Sequence, residues 1–275
     1  MHHICHHAKS SPDAAAIIMA NTGETVTFAQ LDKRSNQMAH AFREAGLAPG
    51  DTLAIFAENT ARYYEAAWAA QRSGLYFVCI SSRLTAPEVA YILKDSGTVL
   101  LLTTRQLATT AEAAAAEAGV GARWCLDGES GEMLDLTHHR KRFPDTPIAD
   151  EQLGADMLYS SGTTGRPKGI RIPLTPGAPI DDATAMHMIA GTLAGMGPGS
   201  VYISPAPLYH AAPLRWTMAA QALGTTILVM EKFDAEAYLQ LVDTYKATHS
   251  QLVPTMFIRM LKLPENVRQK YDVSS

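Results

Sequence analysis

Short apolar runs alternate along this chain with longer segments that carry helix-capping signals, and this alternation constrains the fold most. Thr27 and Gln30 form a capping box ahead of a helix that we expect to end at Gly46. Thr85 and Glu88 form a second capping box ahead of another helix. The apolar runs between these segments are strand-sized and occupy residues 53–57, 76–80 and 99–102. Segments that alternate in this way predict an α/β fold built from layered α/β subdomains.

A segment of different character, from Leu126 to about Leu153, contains glycines, prolines and the basic run 138–142. We interpret it as a connecting region. It divides the chain into a first α/β subdomain at residues 1–153 and a second, with a glycine-rich loop, at residues 154–275. The basic run is expected to be a solvated surface rather than a nucleic-acid site. The Ala/Glu-rich segment 111–118 is expected to form an exposed helix.

Composition excludes several classes of protein. The chain has 275 residues, of which 47% are hydrophobic, and its formal net charge is −4, so no strong positive field attracts nucleic acid. No apolar run approaches the ~18 residues that a membrane span needs. The three cysteines are odd in number and far apart, which favours a reduced, cytoplasmic setting over a disulfide framework.

The chain begins with a histidine-rich segment, His2-His3-Ile4-Cys5-His6-His7. Four imidazoles and a thiol are capable metal ligands. Chain termini are usually disordered unless contacts hold them, so we favour a flexible terminus that binds metal only adventitiously.

The most informative segment is the loop at residues 159–169, Tyr-Ser-Ser-Gly-Thr-Thr-Gly-Arg-Pro-Lys-Gly. Its two glycines let the main chain approach an anion closely, and its hydroxyls and its lysine can bond to phosphate oxygens. The residues concerned are Ser160, Ser161, Gly162, Thr163, Thr164, Gly165 and Lys168. The spacing is neither that of a P-loop NTPase nor that of a dinucleotide-binding fingerprint.

This loop resembles the signature phosphate loop of the adenylate-forming superfamily, which includes acyl-CoA synthetases, luciferases and peptide-synthetase adenylation domains. Further segments resemble that family in the same order along nearly the whole chain, namely residues 27–36, 50–59, 84–88, 207–210 and 253–256. The resemblance implies the N-terminal domain of this family, with an α/β fold that is incomplete at its C-terminus.

The resemblance also implies a reaction in two steps. A carboxylic acid attacks the α-phosphate of ATP to give acyl-AMP and pyrophosphate, and a thiol, usually that of coenzyme A, then displaces AMP. Ser160 is the position expected to help ligate Mg²⁺. The loop residues Ser160, Ser161, Gly162, Thr163, Thr164 and Gly165, with Lys168, are expected to hold the phosphates.

His210, in Pro207-Leu208-Tyr209-His210, occupies the family position beside the reacting carboxylate. The resemblance implies that it polarises the acyl group and gates the acyl pocket, and we take His210 and Lys168 as the catalytic pair. Considered alone, a His at a helix start is more often structural. An apolar acyl pocket or an ordinary core would equally explain Trp216, Met218, Met256 and Phe257.

The chain ends at Ser275, about midway through the family pattern. We therefore expect an N-terminal fragment of an ATP-dependent acyl-CoA synthetase that acts on medium- or long-chain fatty acids. Alone it is expected to bind ATP weakly and to adenylate little, and its uncovered apolar surface favours a homo-oligomer. The alternatives are an aryl- or cinnamoyl-CoA ligase, a fragment of another adenylation enzyme, or a short non-catalytic protein that binds a nucleotide or a partner.

Overall fold

A computed structural model of the chain describes residues 2–160 and 167–275, apart from the side chain of Ser160. Contacts divide the chain into two compact units. The first unit comprises Met1–Leu31, Asn59–Ala61 and Ala183–Ser275, and the second comprises Asp32–Glu58 and Arg62–Asp182.

Helices and strands alternate along the chain as the sequence predicts. In the first part of the chain they are α1 (Ile4–Ser10), β1 (Ala15–Met19), β2 (Thr25–Thr27), α2 (Phe28–Glu44), β3 (Thr52–Phe56), α3 (Ala61–Arg72), β4 (Tyr76–Ile80), α4 (Ala86–Ser96), β5 (Thr98–Thr103), α5 (Ala108–Ala118), β6 (Ala122–Cys125), β7 (Leu134–Asp135) and α6 (Leu136–His139). Those that follow are β8 (Ala155–Ser160), β9 (Lys168–Ile170), α7 (Ala185–Met188), β10 (Val201–Ser204), α8 (Ala211–Ala222), β11 (Thr226–Val229), α9 (Ala235–Tyr245), β12 (His249–Ser250), α10 (Pro254–Leu261) and α11 (Glu265–Arg268).

The second unit is built on a seven-stranded sheet in the order β7-β6-β5-β3-β4-β8-β9. Every pairing up to β8 is parallel, whereas β8 and β9 pair antiparallel. The central strands β3 and β4 are buried along their whole length, which is typical of a parallel sheet with both faces covered. The α/β fold class is confirmed.

The first unit holds a five-stranded sheet in the order β12-β10-β11-β1-β2. Strand β1 near the N-terminus pairs parallel with β11, with Ile17 opposite Ile227. This pairing joins the two ends of the sequence in one unit, so the contact-based division differs from the predicted boundary between residues 153 and 154. That boundary divides the sequence into consecutive halves, and a long-range strand pairing leaves no mark on local composition.

Both predicted capping boxes are present. The backbone N–H of Thr27 donates to Oε1 of Gln30 at 3.2 Å, and that of Gln30 donates to Oγ1 of Thr27 at 3.2 Å. In the second box the backbone N–H of Thr85 donates to Oε2 of Glu88 at 2.8 Å. These bonds satisfy amides that a helix start otherwise leaves unpaired, so α2 and α4 begin where the sequence predicts.

Residues 111–118 lie in a helix, as predicted, but the prediction that this helix is exposed is wrong because one of its faces is buried. Helix α5 buries Ala108, Ala111, Ala114 and Ala115. These residues belong to a core cluster with Val89 and Leu93 of α4 and with strand residues of the second unit. Alanine side chains are short, so they let two helices approach closely. Because alanine is only weakly hydrophobic, the sequence of α5 gives little indication that this face is packed.

The histidine-rich start of the chain is a helix with a fixed cap, so the expectation of a flexible terminus is wrong. Nδ1 of His3 accepts a hydrogen bond from the backbone N–H of Cys5 at 3.2 Å, and Ile4 is fully buried. Nε2 of His7 lies 3.0 Å from the carbonyl oxygen of Ala222, at the end of α8. His3 therefore caps α1, and His7 links this helix to α8 within the first unit.

Candidate functional site

The glycine-rich loop connects the two strands of an antiparallel hairpin at the edge of the large sheet. In the pairing of β8 with β9, Ser160 lies opposite Lys168 and Tyr159 lies opposite Gly169. The hairpin thus brings the backbone at the two ends of the loop together, with exposed Lys168 at the start of β9. The predicted phosphate ligands Ser161, Gly162, Thr163, Thr164 and Gly165 lie outside the described residues.

Helix α4 contacts both ends of the loop. The hydroxyl of Tyr91 donates to the carbonyl oxygen of Pro167 at 3.1 Å, and the hydroxyl of Tyr159 donates to Oδ2 of Asp95 at 2.6 Å. Burial raises the pKa of Tyr159, and its bond to Asp95 raises that pKa further, so the phenol keeps the proton that it donates. The loop therefore starts and ends at residues that are bonded to one helix.

Gly169 crosses close above the ring of Tyr159. A Cβ atom at residue 169 would lie 2.8 Å from Cζ of Tyr159 and 2.5 Å from Cε of Met157. Real Cβ atoms do not approach other heavy atoms so closely, so a larger residue here would have to displace the side chains of Tyr159 and Met157. Gly169 is the last residue of the loop motif. Its close packing against β8 is a structural reason for a small residue at this position.

The second predicted catalytic residue, His210, belongs to the first unit. It is exposed at the N-cap of α8, with φ −87° and ψ 146°, and its ring lies 4.5 Å from the ring of Tyr209 between centroids. The N-terminus of a 12-residue helix carries partial positive charge and unpaired amides. An imidazole at this position can therefore face a carboxylate together with those amides.

The segment before His210 is fixed by a buried asparagine that sequence reasoning did not select. Nδ2 of Asn59 donates to the carbonyl oxygens of Ala206 at 3.1 Å and Met230 at 2.9 Å. Oδ1 of Asn59 accepts from the backbone N–H of Leu208 at 2.9 Å. Asn59 was visible in the sequence only as the end of a family-like segment, since its partners lie about 150 residues away.

The predicted acyl-pocket residues separate into two groups. Met218 and Met256 are buried, and Met256 packs in the core of the first unit with Ile203 and Leu228. Phe257 is half exposed and borders a cavity of about 340 Å³. The other residues that line this cavity come from α9, from β12 and the segments on either side of it, from α10 and from the C-terminal residues, namely Tyr238, Leu239, Val242, Ala247, Thr248, His249, Ser250, Leu252, Met260, Val273 and Ser275. Met256 is therefore part of the core, and an acyl-binding role for Phe257 stays a prediction.

The described parts of the chain, 2–160 and 167–275, contain no group of three or more His, Cys, Asp or Glu residues placed to hold a metal ion. The N-terminal histidines do not converge on one point, and Mg²⁺ ligation by Ser160 stays a prediction. No helix among those residues is both long and apolar enough to cross a membrane.

Comparison with known proteins gives the family. A family model described as AMP-binding enzyme matches residues 4–275. This chain is a member of the AMP-binding enzyme family. The phosphate-loop resemblance is thereby confirmed at the level of the family, because the match extends over both units.

The names of two relatives of this AMP-binding enzyme chain refer to different acids. It is 34% identical over 262 residues to a fatty acid–[acyl-carrier-protein] ligase, ScoC, of Streptomyces coeruleorubidus, covering 94% of this chain and 48% of the relative. It is 33% identical over 251 residues to a feruloyl-CoA synthase of an Amycolatopsis species, covering 91% of this chain and 48% of the relative.

Among solved structures, the inhibitor-bound N-terminal domain of FACL13 from Mycobacterium tuberculosis matches with a TM-score of 0.81 and 25% identity. The match covers 98% of this chain and 66% of that domain. The fold of this AMP-binding enzyme chain is therefore that of the N-terminal domain of adenylate-forming enzymes. The chain spans about half the length of the curated relatives it matches.

Proposed function

We propose that this chain supplies the ATP-phosphate loop and part of the acyl site of an ATP-dependent acyl-CoA synthetase. The enzyme adenylates a medium- or long-chain fatty acid and transfers the acyl group to the thiol of coenzyme A. One observation carries this proposal, namely the hairpin that sets Ser160 opposite Lys168 at the ends of a loop of glycines and hydroxyls.

The residues of this loop suit the crowded negative charge of a nucleotide triphosphate. Backbone N–H groups around Gly162 and Gly165, with the hydroxyls of Thr163 and Thr164, would bind phosphate oxygens. Lys168 would add a charge-assisted hydrogen bond as pyrophosphate charge develops. Donors that are in position before a reaction stabilise its transition state without reorganisation at that moment.

Mg²⁺ would neutralise phosphate charge in this site, and Ser160 would hold it. This ion usually keeps several waters and is bound through one or two carboxylates together with phosphate oxygens. The hydroxyl of Ser160 would supply one neutral oxygen ligand beside those groups, and the described residues contain no group of three or more His, Cys, Asp or Glu that could hold the ion alone.

His210 would act on the acyl half of the reaction. His210 is exposed at the N-cap of α8, where the partial positive charge of the helix start would favour a carboxylate beside the imidazole. There it would orient the carboxylate for attack on the α-phosphate, since positioning of a weak nucleophile lowers the barrier without any covalent step.

A second candidate, an aryl- or cinnamoyl-CoA ligase, is favoured by a specific observation. The feruloyl-CoA synthase is nearly as similar to this chain as the fatty acid ligase is, at 33% against 34% identity. The fatty acid ligase is also named for an acyl-carrier protein, so a carrier-protein thiol is the alternative to coenzyme A as acceptor.

The deciding experiment is ATP–pyrophosphate exchange with a panel of acids, performed on this chain and on any longer form of the protein. The panel includes octanoate, palmitate, coumarate and ferulate. Exchange with octanoate or palmitate supports the fatty-acid proposal, whereas exchange with only the aromatic acids favours the second candidate. Product assays with coenzyme A and with an acyl-carrier protein then identify the acceptor.

We expect this chain alone to exchange at a small fraction of the rate of a longer form, because it spans about half the length of the curated relatives it matches. Equal rates would contradict that expectation. Within the longer form, Lys168→Ala should reduce exchange at least about tenfold, since charge-assisted bonds are worth ~1.5–3 kcal/mol. Lys262→Ala, at an exposed lysine on the end of α10, is the matched control. Absence of nucleotide binding in both forms would refute the proposed function.

A further inference from the structure

The geometry points to Tyr91 and Asp95 as positioning residues that hold the two ends of the phosphate loop in register from one face of α4. Asp95 lies four positions after Tyr91 in the sequence, so the two side chains lie one turn apart on the same face of the helix. Tyr91 bonds to Pro167 after the loop, and Asp95 bonds to Tyr159 before it. This inference rests on the proposed role of the loop in binding ATP phosphates.

The bond from Tyr91 to Pro167 lies at the border of a cavity. A cavity of about 520 Å³ lies beside Pro167 and Tyr91. Its remaining lining residues are Leu84, Pro87, Glu88, Lys94 and Glu117. Atoms that face a cavity lose dispersion contacts, so the Tyr91 hydroxyl is the directional restraint on Pro167 there.

The other end of the loop is held by a stronger kind of bond. The phenol of Tyr159 donates to a carboxylate at 2.6 Å, which is the short distance typical of a charge-assisted bond. Gly169 fits closely over the same ring, so a shift of Tyr159 would also displace β9. The ring of Tyr159 therefore links both strands of the hairpin to α4.

The physical consequence is preorganisation. A loop whose ends are held before the nucleotide arrives has less conformational freedom to lose on binding, so a larger part of its contact energy remains as affinity. Removing either restraint should weaken phosphate binding, although neither side chain is expected to touch the nucleotide.

The test uses four single variants of this chain and two measurements. Tyr91→Phe removes only the hydroxyl, and Asp95→Ala removes the acceptor of Tyr159. Asp95→Asn keeps an acceptor oxygen without its charge, so it should restore part of the behaviour of the native chain. Tyr76→Phe is the matched control, because its hydroxyl donates to the carbonyl oxygen of Ile172 at 2.7 Å, beyond the hairpin.

The first measurement is the affinity for ATP with Mg²⁺, and for inorganic pyrophosphate, by titration calorimetry. We expect Tyr91→Phe and Asp95→Ala each to raise both Kd values about three- to tenfold, which corresponds to one hydrogen bond of ~0.5–1.5 kcal/mol. Tyr76→Phe should leave the Kd values within about twofold of native, and Asp95→Asn should raise them by less than Asp95→Ala does. A merely structural role would lower the unfolding midpoint equally in Tyr76→Phe and Tyr91→Phe without separating their affinities.

The second measurement needs no ligand. Amide hydrogen exchange at Lys168–Ile170 should be faster in Tyr91→Phe and Asp95→Ala than in the native chain, and intermediate in Asp95→Asn. Native exchange rates and affinities in Tyr91→Phe would overturn the inference, as would equal effects of Tyr76→Phe. If the native chain binds neither ATP nor pyrophosphate, the phosphate role of the loop fails, while the exchange rates still decide whether α4 holds its ends.

Discussion

Oδ1 of Asn59 accepts a hydrogen bond from the backbone N–H of Leu208 at 2.9 Å, two residues before the proposed catalytic His210. The same amide donates to the carbonyl oxygens of Ala206 and Met230, so one buried side chain fixes three backbone groups from two segments. Rigid support of this kind sets the direction in which the chain leaves toward α8, and therefore where the imidazole of His210 is presented.

Replacement of Asn59 by alanine should destabilise the chain by about 2–4 kcal/mol. The variant leaves Leu208 N–H and two carbonyl oxygens without their partner, and each buried polar group left unsatisfied costs ~1–3 kcal/mol before water compensates. Chemical denaturation measures the loss. Asn266→Ala, at an exposed position in α11, is the control and should stay within about 0.5 kcal/mol of native. An Asn59 variant as stable as that control would contradict the structural role.

Gly154 lies where no side chain fits. A Cβ atom there would come within 2.4 Å of the carbonyl oxygen of Leu75 and 2.9 Å of that of Ala70. Backbone atoms cannot move away cheaply, so Gly154→Ala should cost about 2–3 kcal/mol, and the resulting shift of β8 should also weaken ATP binding. Gly121→Ala, whose Cβ would meet nothing within 4 Å, should be neutral or slightly stabilising. Urea unfolding of both variants checks the pair, and equal stability would show that the close contact at Gly154 relaxes.

Glu65 is a fully buried carboxylate bound by three arginines in the second unit. Arg34 lies 2.9 Å from one of its oxygens, Arg140 lies 2.7 Å from the other, and Arg62 also bonds to it. Burial lowers the pKa of Arg140, and the Glu65 charge opposes that shift. This arrangement also corrects the prediction for the basic run 138–142, because Arg140 is a buried partner rather than part of a solvated surface.

Glu65→Gln should therefore destabilise the chain by about 3 kcal/mol, because guanidinium groups that are largely removed from water lose their counter-charge. Glu117→Gln, at an exposed position in α5, is the matched control and should have little effect. Addition of sulfate should recover more stability in Glu65→Gln than in the control, since an anion can replace the missing charge. Equal thermal unfolding midpoints for the two variants would show that the charge of Glu65 does not stabilise the buried arginines.

Local signals in this sequence predict local structure well. The capping boxes at Thr27 and Thr85 place the starts of α2 and α4 because donor, acceptor and helix start all lie within four residues. The loop at 159–169 could be recognised for the same reason, as its chemistry is contiguous in sequence.

Relationships across the chain could not be predicted in this way. The pairing of β1 with β11 and the bonds from Asn59 join residues that are about 150 to 210 positions apart, and no local pattern records them. Burial of Arg140 depends on a carboxylate 75 residues earlier. A single sequence gives the charge of each residue, but tertiary packing decides which charges are removed from water.

In the capping box of α7, a histidine stands at the position that usually holds an acidic residue, so the stability of the chain should depend on pH. At the start of α7, the backbone N–H of Thr184 donates to Nδ1 of His187 at 3.1 Å, which requires an unprotonated nitrogen. His187 is buried, and its ring stacks on that of His2 with centroids 5.1 Å apart. Burial, and to a smaller extent the charge of His2, lower the pKa of His187 to about 4.

The sign of the pH effect follows from these values. Between about pH 6.5 and pH 4 the unfolded chain binds a proton at residue 187 that the folded chain does not, so stability falls as the pH falls through this window. A shift of this size corresponds to a loss of about 3 kcal/mol at the lower end. Burial also lowers the pKa of His7, despite its bond to Ala222, so His7 contributes in the same direction.

His187→Gln isolates the contribution of the cap. A glutamine at this position completes an ordinary capping box, because its side-chain oxygen can accept from Thr184 N–H and does not titrate. Urea unfolding at intervals from pH 4.5 to 8 should therefore show a shallower fall in stability for the variant than for the native chain, with nearly equal stability at pH 8. Parallel curves for the two proteins would mean that His187 titrates alike in the folded and unfolded chain, and that its bond to Thr184 does not control stability.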